Sequence, residues 1–437
     1  MKKFFRNGVV VGLLGVAVMA LSTMVVGDDS TITYNGTTNT YSGYGTINTA
    51  KTFTADTFFD IAAGNTITAS TATPVFSGET GITVTKTGSG TLNFNTYANL
   101  LGTFRILDGT VSLNSSNGGK GTIGQNCVIE ISGTNSQLIC NNGDTLGYNN
   151  NKENVTKITI SDGARMIYMG NYHQTNCAET ILSNGSIVMD PDTTMESSRY
   201  SWFANTITSR AGTINVIDTQ NTNLRGSANF VVEADSLLSL KSDLVAGMGA
   251  ALIKNGAGKM VVSGDNAYKT ATNVNAGTLT FDTTASMGAT RGITVAEGAT
   301  LGFGANLFSL ENGTFPTMTF GGNNGLEVRI VNIDNYTSLD WSDFNVVNPE
   351  NIIALYVDMS DYEQTQHRES YNIITGLTGE LQNLELVLTS LPTSLESMSL
   401  HYADGVYSLN LTGVPEPSTW LLLFLGVGML PFLRRQK

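Results

Sequence analysis

Two stretches of the chain repeat each other without a gap. KTGSGTLNFNTYANLLGTFRILDGTVSLN, starting at Lys86, aligns with KNGAGKMVVSGDNAYKTATNVNAGTLTFD, starting at Lys254, at a constant offset of 168 residues. Lys86, Gly88, Gly90 and Gly109-Thr110 match Lys254, Gly256, Gly258 and Gly277-Thr278. Five apolar pairs keep the same register: Leu92 with Met260, Phe94 with Val262, Ile106 with Val274, Val111 with Leu279, and Leu113 with Phe281. A unit of this size, two or three short strands turned at glycines, cannot close a core alone and must stack on its neighbours.

The chain between the copies has the same texture. From about Asp28 to Leu310, short alternating segments are separated by Gly, Asn, Asp and Ser, which is strand punctuation. Ile82 and Val84 flank Thr83, Ile158 and Ile160 flank Thr159, Ile293 and Val295 flank Thr294, and Leu301 precedes Phe303 by two. Each segment therefore buries one face only. Looser echoes of the glycine-marked corner occur at Ala211, Asn142 and Glu297. At roughly 20 to 25 residues per turn, this region would wind on the order of a dozen turns of a parallel β-helix. Thr and Asn suit such a surface, because stacked strands place like polar residues in ladders.

Composition narrows function. Of 437 residues 47 are Gly and only 14% are charged, so Thr, Asn, Ser and Gly must form most of the surface. The net charge of −13 opposes a phosphate backbone, and Lys/Arg cluster only at the termini, so nucleic acid is not expected as a partner. Cys127, Cys140 and Cys177 have no metal-ligand spacing. Cys127 alternates with Ile129, and Cys140 with Leu138, as small core fillers would; a Cys127 to Cys140 bridge is the alternative. Lys86 and Lys254 are read as marking the exterior of a turn.

Catalytic constellations are sparse. His173, His367 and His401 lie in no zinc-like pair, and no phosphate loop or nucleophile elbow occurs. The best acidic cluster is Asp190 and Asp192, with Glu196 and Arg199 downstream and the aromatic Tyr200 and Trp202 beside it. Such a group on a solenoid loop could contact glycan, whereas Asp-Pro-Asp is also a common turn composition. No cofactor, metal or enzymatic activity is expected. The rival expectation is a polysaccharide lyase or glycoside hydrolase on the same scaffold.

The ends carry export signals. Lys2, Lys3 and Arg6 precede an uninterrupted run without polar side chains from Val9 to Leu21, the pattern of a secretory leader over residues 1–27; an uncleaved anchor is the alternative. From Glu311 to Gly413 longer Val/Leu strands and more Asp and Glu suggest an antiparallel β domain capping the solenoid, or a carbohydrate-binding sandwich. At the other end, Pro415-Glu416-Pro417 is followed by an apolar run from Trp420 to Leu433 and then by Arg434, Arg435 and Lys437. That run is shorter than the ~20 residues of a full-thickness span, and the terminal arginines would stay in the cytoplasm.

Two resemblances rest on these residues. The second copy resembles the autotransporter-associated β-strand repeat through Lys254, Gly256, Gly258, Ser263, Gly264, Asn266, Tyr268, Thr272, Val274, Gly277 and Leu279; the first copy lacks the Ser-Gly-x-Asn-x-Tyr part. This implies a β-solenoid on an exported protein. The ending, residues 414–437 with Val414, Pro415, Glu416, Pro417, Arg434 and Arg435, resembles the PEP-CTERM sorting signal. It implies recognition by an exosortase, loss of the tail, and release or attachment at the cell surface. No membrane barrel of alternating strands follows the solenoid, so the chain does not read as an autotransporter passenger with its own translocator.

The expectation is therefore an all-β chain. Residues 28–310 form a right-handed parallel β-helix, with its clearest copies at 82–113 and 252–281. A small antiparallel β cap domain (311–413) and a C-terminal transmembrane sorting helix follow. Signal peptidase, exosortase and, transiently, the inner membrane are the expected partners during export, with extracellular polysaccharide as the candidate partner outside the cell.

Overall fold

The computed structural model describes residues 21–25 and 31–413 apart from 71–73, 116–120, 124–125, 148–154, 170–173, 176, 193–200, 203–205, 225–227, 246–250, 267, 269, 283–289, 305–316, 333, 341–344, 348–352, 364–368, 379–383 and 388–390. Every regular element among them is a β-strand. The expected sorting helix and most of the expected leader lie outside the described residues. Leu21–Val25, within that leader, pairs antiparallel with Thr31–Asn35.

Period-two alternation over four or five residues, cut by turns, gives short strands with one buried face each, which a single hairpin could not cover. They stack in parallel instead. One ladder runs through Thr83–Thr87, Thr103–Ile106, Val128–Ser132 and Lys157–Ser161. A second runs through Thr91–Phe94, Thr110–Leu113, Gln137–Cys140 and Arg165–Tyr168. Short third-side strands stack separately, as in Lys51–Phe53, Phe76–Gly78 and Asn99–Leu100. The result is a parallel β-solenoid. Its coils advance by between 18 residues, from Tyr41 to Phe59, and 31, from Ile353 to Leu384.

The inward positions form one continuous core. Ile158, Ile160, Ile293, Val295, Leu301 and Phe303 are all buried, as their alternation predicts, and so are all ten members of the five repeat pairs. Each such side chain stabilises the coil by about 1.5–3 kcal/mol on burial. At the N-terminal end the core is an aromatic column in which Tyr34, Tyr41, Phe59, Phe76, Phe94 and Phe104 follow one another at centroid spacings of 4.7 to 5.8 Å.

Three expectations need correction. First, the architecture does not change at residue 311. Thr317–Phe320 continues the first ladder, while Asn324–Arg329, Ile353–Asp358 and Leu384–Val387 continue the second. The reason is phase: Leu326, Val328, Leu355 and Val357 occupy the same inward positions as Leu301 and Phe303, and only the outward residues become charged.

Second, the antiparallel part is smaller than expected and is not a separate sandwich. Ser370–Thr375, Leu395–Ala403 and Val406–Gly413 pair antiparallel beside Leu339–Asp340. Their Tyr371, Leu409 and Leu411 join the same buried cluster as the solenoid interior. Third, Lys86 and Lys254 are not on a turn exterior; both are fully buried.

Candidate functional site

The repeat motif is a corner clamp built around those lysines. Lys86 lies two residues after Val84 and Lys254 two after Leu252, both pointing inward. In the ladder, Lys86 stands between Phe59 and Ile106, and Lys254 between Phe230 and Val274. A buried ammonium at an aliphatic position requires acceptors. The corner supplies them: Lys254 Nζ donates to the carbonyls of Asn255 (3.0 Å), Gly256 (2.8 Å) and Ala276 (2.9 Å). Lys86 Nζ donates to those of Thr87 (2.8 Å), Gly88 (2.5 Å) and Asp108 (3.1 Å). Each lysine thus ties its own corner to that of the next coil.

The glycines make the convergence possible. Gly88 and Gly256 adopt φ of 70° and 77°, which turns their carbonyls back toward the lysine. Gly109 and Gly277 sit in the next coil directly over that corner; a Cβ on Gly109 would lie 2.5 Å from the carbonyl oxygens of both Gly88 and Gly90. The second glycine, Gly90 or Gly258, is required by the coil below, whose Asn65 or Ser236 carbonyl would lie 2.7 Å from an added Cβ. Burial pulls both lysines down to about 8 from the ordinary value of 10.5, and Asp108 and Asp60 oppose this at Lys86.

Other coils use Asn for the same purpose. Asn324 is fully buried, and its Nδ2 donates to the carbonyl of Ala296 at 2.6 Å while Oδ1 accepts from the Gly322 amide. Asn215 accepts from the Gly185 amide and donates to Ser209 and Thr213. On the outside, Asn114 donates to Asn95 and accepts from Asn141, and Asn275 donates to Asn255, which donates in turn to Asn229. These are amide ladders.

Of the sequence-derived glycan candidates, Asp190, Asp192 and the strand position of Trp202 fall within the described residues. Asp190 Oδ1 accepts from the Asp192 amide at 2.8 Å, an Asx turn. Trp202 lies in the strand Ser201–Trp202, paired with Thr175 and Leu224. Tyr200, Glu196 and Arg199 lie outside the described residues, as do His173 and His367, and His401 is exposed on the terminal sheet. Val414, Pro415, Glu416, Pro417, Arg434 and Arg435 also lie outside them.

All three cysteines are free and buried. Burial pushes each thiol to about 12. The native protein should therefore resist a thiol-specific colorimetric reagent at pH 8 and react at all three positions once unfolded. Rapid labelling of the folded chain would show that a coil opens.

A parallel β-solenoid held by lysine-glycine corner clamps is the class of protein that these features define. A family model described as the passenger-associated-transport-repeat matches residues 84–117 and 252–281. Those are the two stretches that carry the clamps, and they make up a minor part of the chain. No curated protein and no solved structure matches it.

Proposed function

We propose that the chain is an exported, non-enzymatic rod of the bacterial cell surface or extracellular matrix, with a structural or adhesive role. The observation that carries this reading is the unbroken two-ladder core, clamped at the repeat corners, with a mostly uncharged Thr- and Asn-bearing exterior. Such a body presents rows of hydroxyl and amide groups at fixed spacing, and many weak contacts along one rod give avidity to glycan.

In this reading residues 1–27 direct export and are removed by signal peptidase. The tail 414–437 holds the protein in the inner membrane only until an exosortase acts at Pro415-Glu416-Pro417. Pro415 and Pro417 keep that element extended and offer no amide N–H, so it stays open to an enzyme cleft. The test is the mass of the C-terminal peptide from protein recovered outside the native cells. A chain ending near residues 415–417 is the expected result. An intact end at Lys437, found only in membranes, would overturn the sorting step.

A further inference from the structure

Near its C-terminal end the second ladder carries a trough of about 860 Å³ on its outward face. Small outward residues make its floor: Thr278 and Thr300 follow Lys259 in one column. Gly302 stands in the neighbouring column below Glu327. A Cβ on Gly302 would lie 2.5 Å from Thr280 Oγ1 and 2.8 Å from Glu327 Oε1, so glycine at this rung is what lets the Glu327 side chain reach across it to Thr280 and Lys259. Tyr356, Tyr362 and the segment Leu391–Thr393 form the walls.

The polar groups in the trough are fixed in place. Glu327 Oε1 accepts from Lys259 Nζ and from Thr280 Oγ1, each at 2.8 Å. Asp358 Oδ2 lies 3.4 Å from the same ammonium, and its Oδ1 accepts from the Ser360 amide at 3.0 Å. Burial would raise the Asp358 carboxyl, but the Ser360 amide, Lys259 and Arg329 together hold it below its ordinary value. Both carboxylates therefore stand as oriented acceptors beside a tyrosine, with most of their reorganisation cost already met by the fold.

We propose that this trough binds an extended, uncharged polysaccharide. Its volume falls within the range of roughly 300–1,000 Å³ usual for ligand sites, and it is open along a ladder whose rungs are about 4.8 Å apart, close to the length of one sugar residue in an extended chain. Tyr356 lines the trough, and a tyrosine there supplies both an apolar ring for a sugar face and a hydroxyl for its rim. Glu327, Asp358 and Lys259 offer acceptors and a donor to hydroxyls. Two carboxylates against one ammonium, on a chain of net charge −13, disfavour a polyanion. The inference rests on the reading of the chain as a glycan-contacting surface rod and names the place and ligand class.

The test is affinity electrophoresis of the exported protein in gels containing mixed-linkage β-glucan, galactomannan or soluble chitooligosaccharide, with polygalacturonate as the charged comparison. Retardation by at least one neutral polymer is expected, weakened at least tenfold by Tyr356→Ala and unchanged by Tyr44→Ala, whose side chain is exposed at the opposite end. Tyr356 points outward, so Tyr356→Ala should keep the wild-type melting curve; Tyr356→Phe should restore most of the retardation. Retardation unaffected by Tyr356→Ala would place binding on another face and overturn this site while leaving the rod reading standing. Retardation by polygalacturonate alone, or by none of the polymers, would overturn it as well. The export reading is judged separately, by the C-terminal mass.

Discussion

Gly109→Ala should lower the stability of the solenoid by about 3–4 kcal/mol, whereas Gly212→Ala should cost only about 1 kcal/mol. Both glycines are left-handed, with φ of 73° and 68°, so both substitutions carry the same backbone strain. They differ in what the new methyl meets. At Gly212 nothing lies within 4 Å, while at Gly109 the methyl would sit 2.5 Å from two backbone oxygens of the coil below and 2.9 Å from Lys86 Nζ. Those oxygens belong to the corner that Lys86 holds, so the coils must separate and the clamp must lengthen. The rungs above and below resist, because the interior is close-packed. Denaturant midpoints for the two variants, with hydrogen exchange at the Asp108 to Gly109 corner, measure the difference. Equal costs would mean that the close approach of the coils is not a structural requirement, and the clamp account of the motif would fail with it.

The path of the chain was legible in the sequence because alternation is a local property. Ile158 and Ile160 need only each other and Thr159 to declare their face, and the gapless offset of 168 residues declared that faces stack. The lysines were misread because a charged residue beside glycines normally marks solvent. Yet the signal was present: Lys86 follows Ile82 and Val84 at period two, and Lys254 follows Leu252, so phase placed both inside. What phase does not show is the acceptor set, since Ala276 reaches Lys254 only after the chain has travelled a whole coil. The C-terminal boundary was misplaced for the opposite reason. Charges on outward positions such as Glu327 and Asp358 changed the texture without changing the inward column of Leu326, Val328, Leu355 and Val357. The trough was illegible because it arises from residues on five rungs, with Gly302 contributing by having no side chain and so letting Glu327 reach Thr280 and Lys259.

The clamp also predicts how charge removal behaves. Lys254→Met keeps the length and volume of the side chain but withdraws the donor from the carbonyls of Asn255, Gly256 and Ala276. Leaving buried carbonyls without that donor should cost about 2–3 kcal/mol near neutral pH, and Lys86→Met should behave alike. The pH dependence follows from burial. Lys254 titrates near 8 when folded and near 10.5 when unfolded, so between those values the unfolded chain binds more protons than the folded one. Wild-type stability therefore gains from this lysine as pH rises from about 8 to 10.5, where a neutral amine still donates to the corner without the burden of burying a charge. Methionine has no such gain, so the deficit of Lys254→Met should widen across that window when chemical denaturation is repeated at each pH. A deficit that narrows would mean that the three carbonyl dipoles outweigh desolvation and hold the ammonium charged above pH 10. The corner would then be a cation site in its own right, and the lysine would be held there by charge more than by shape.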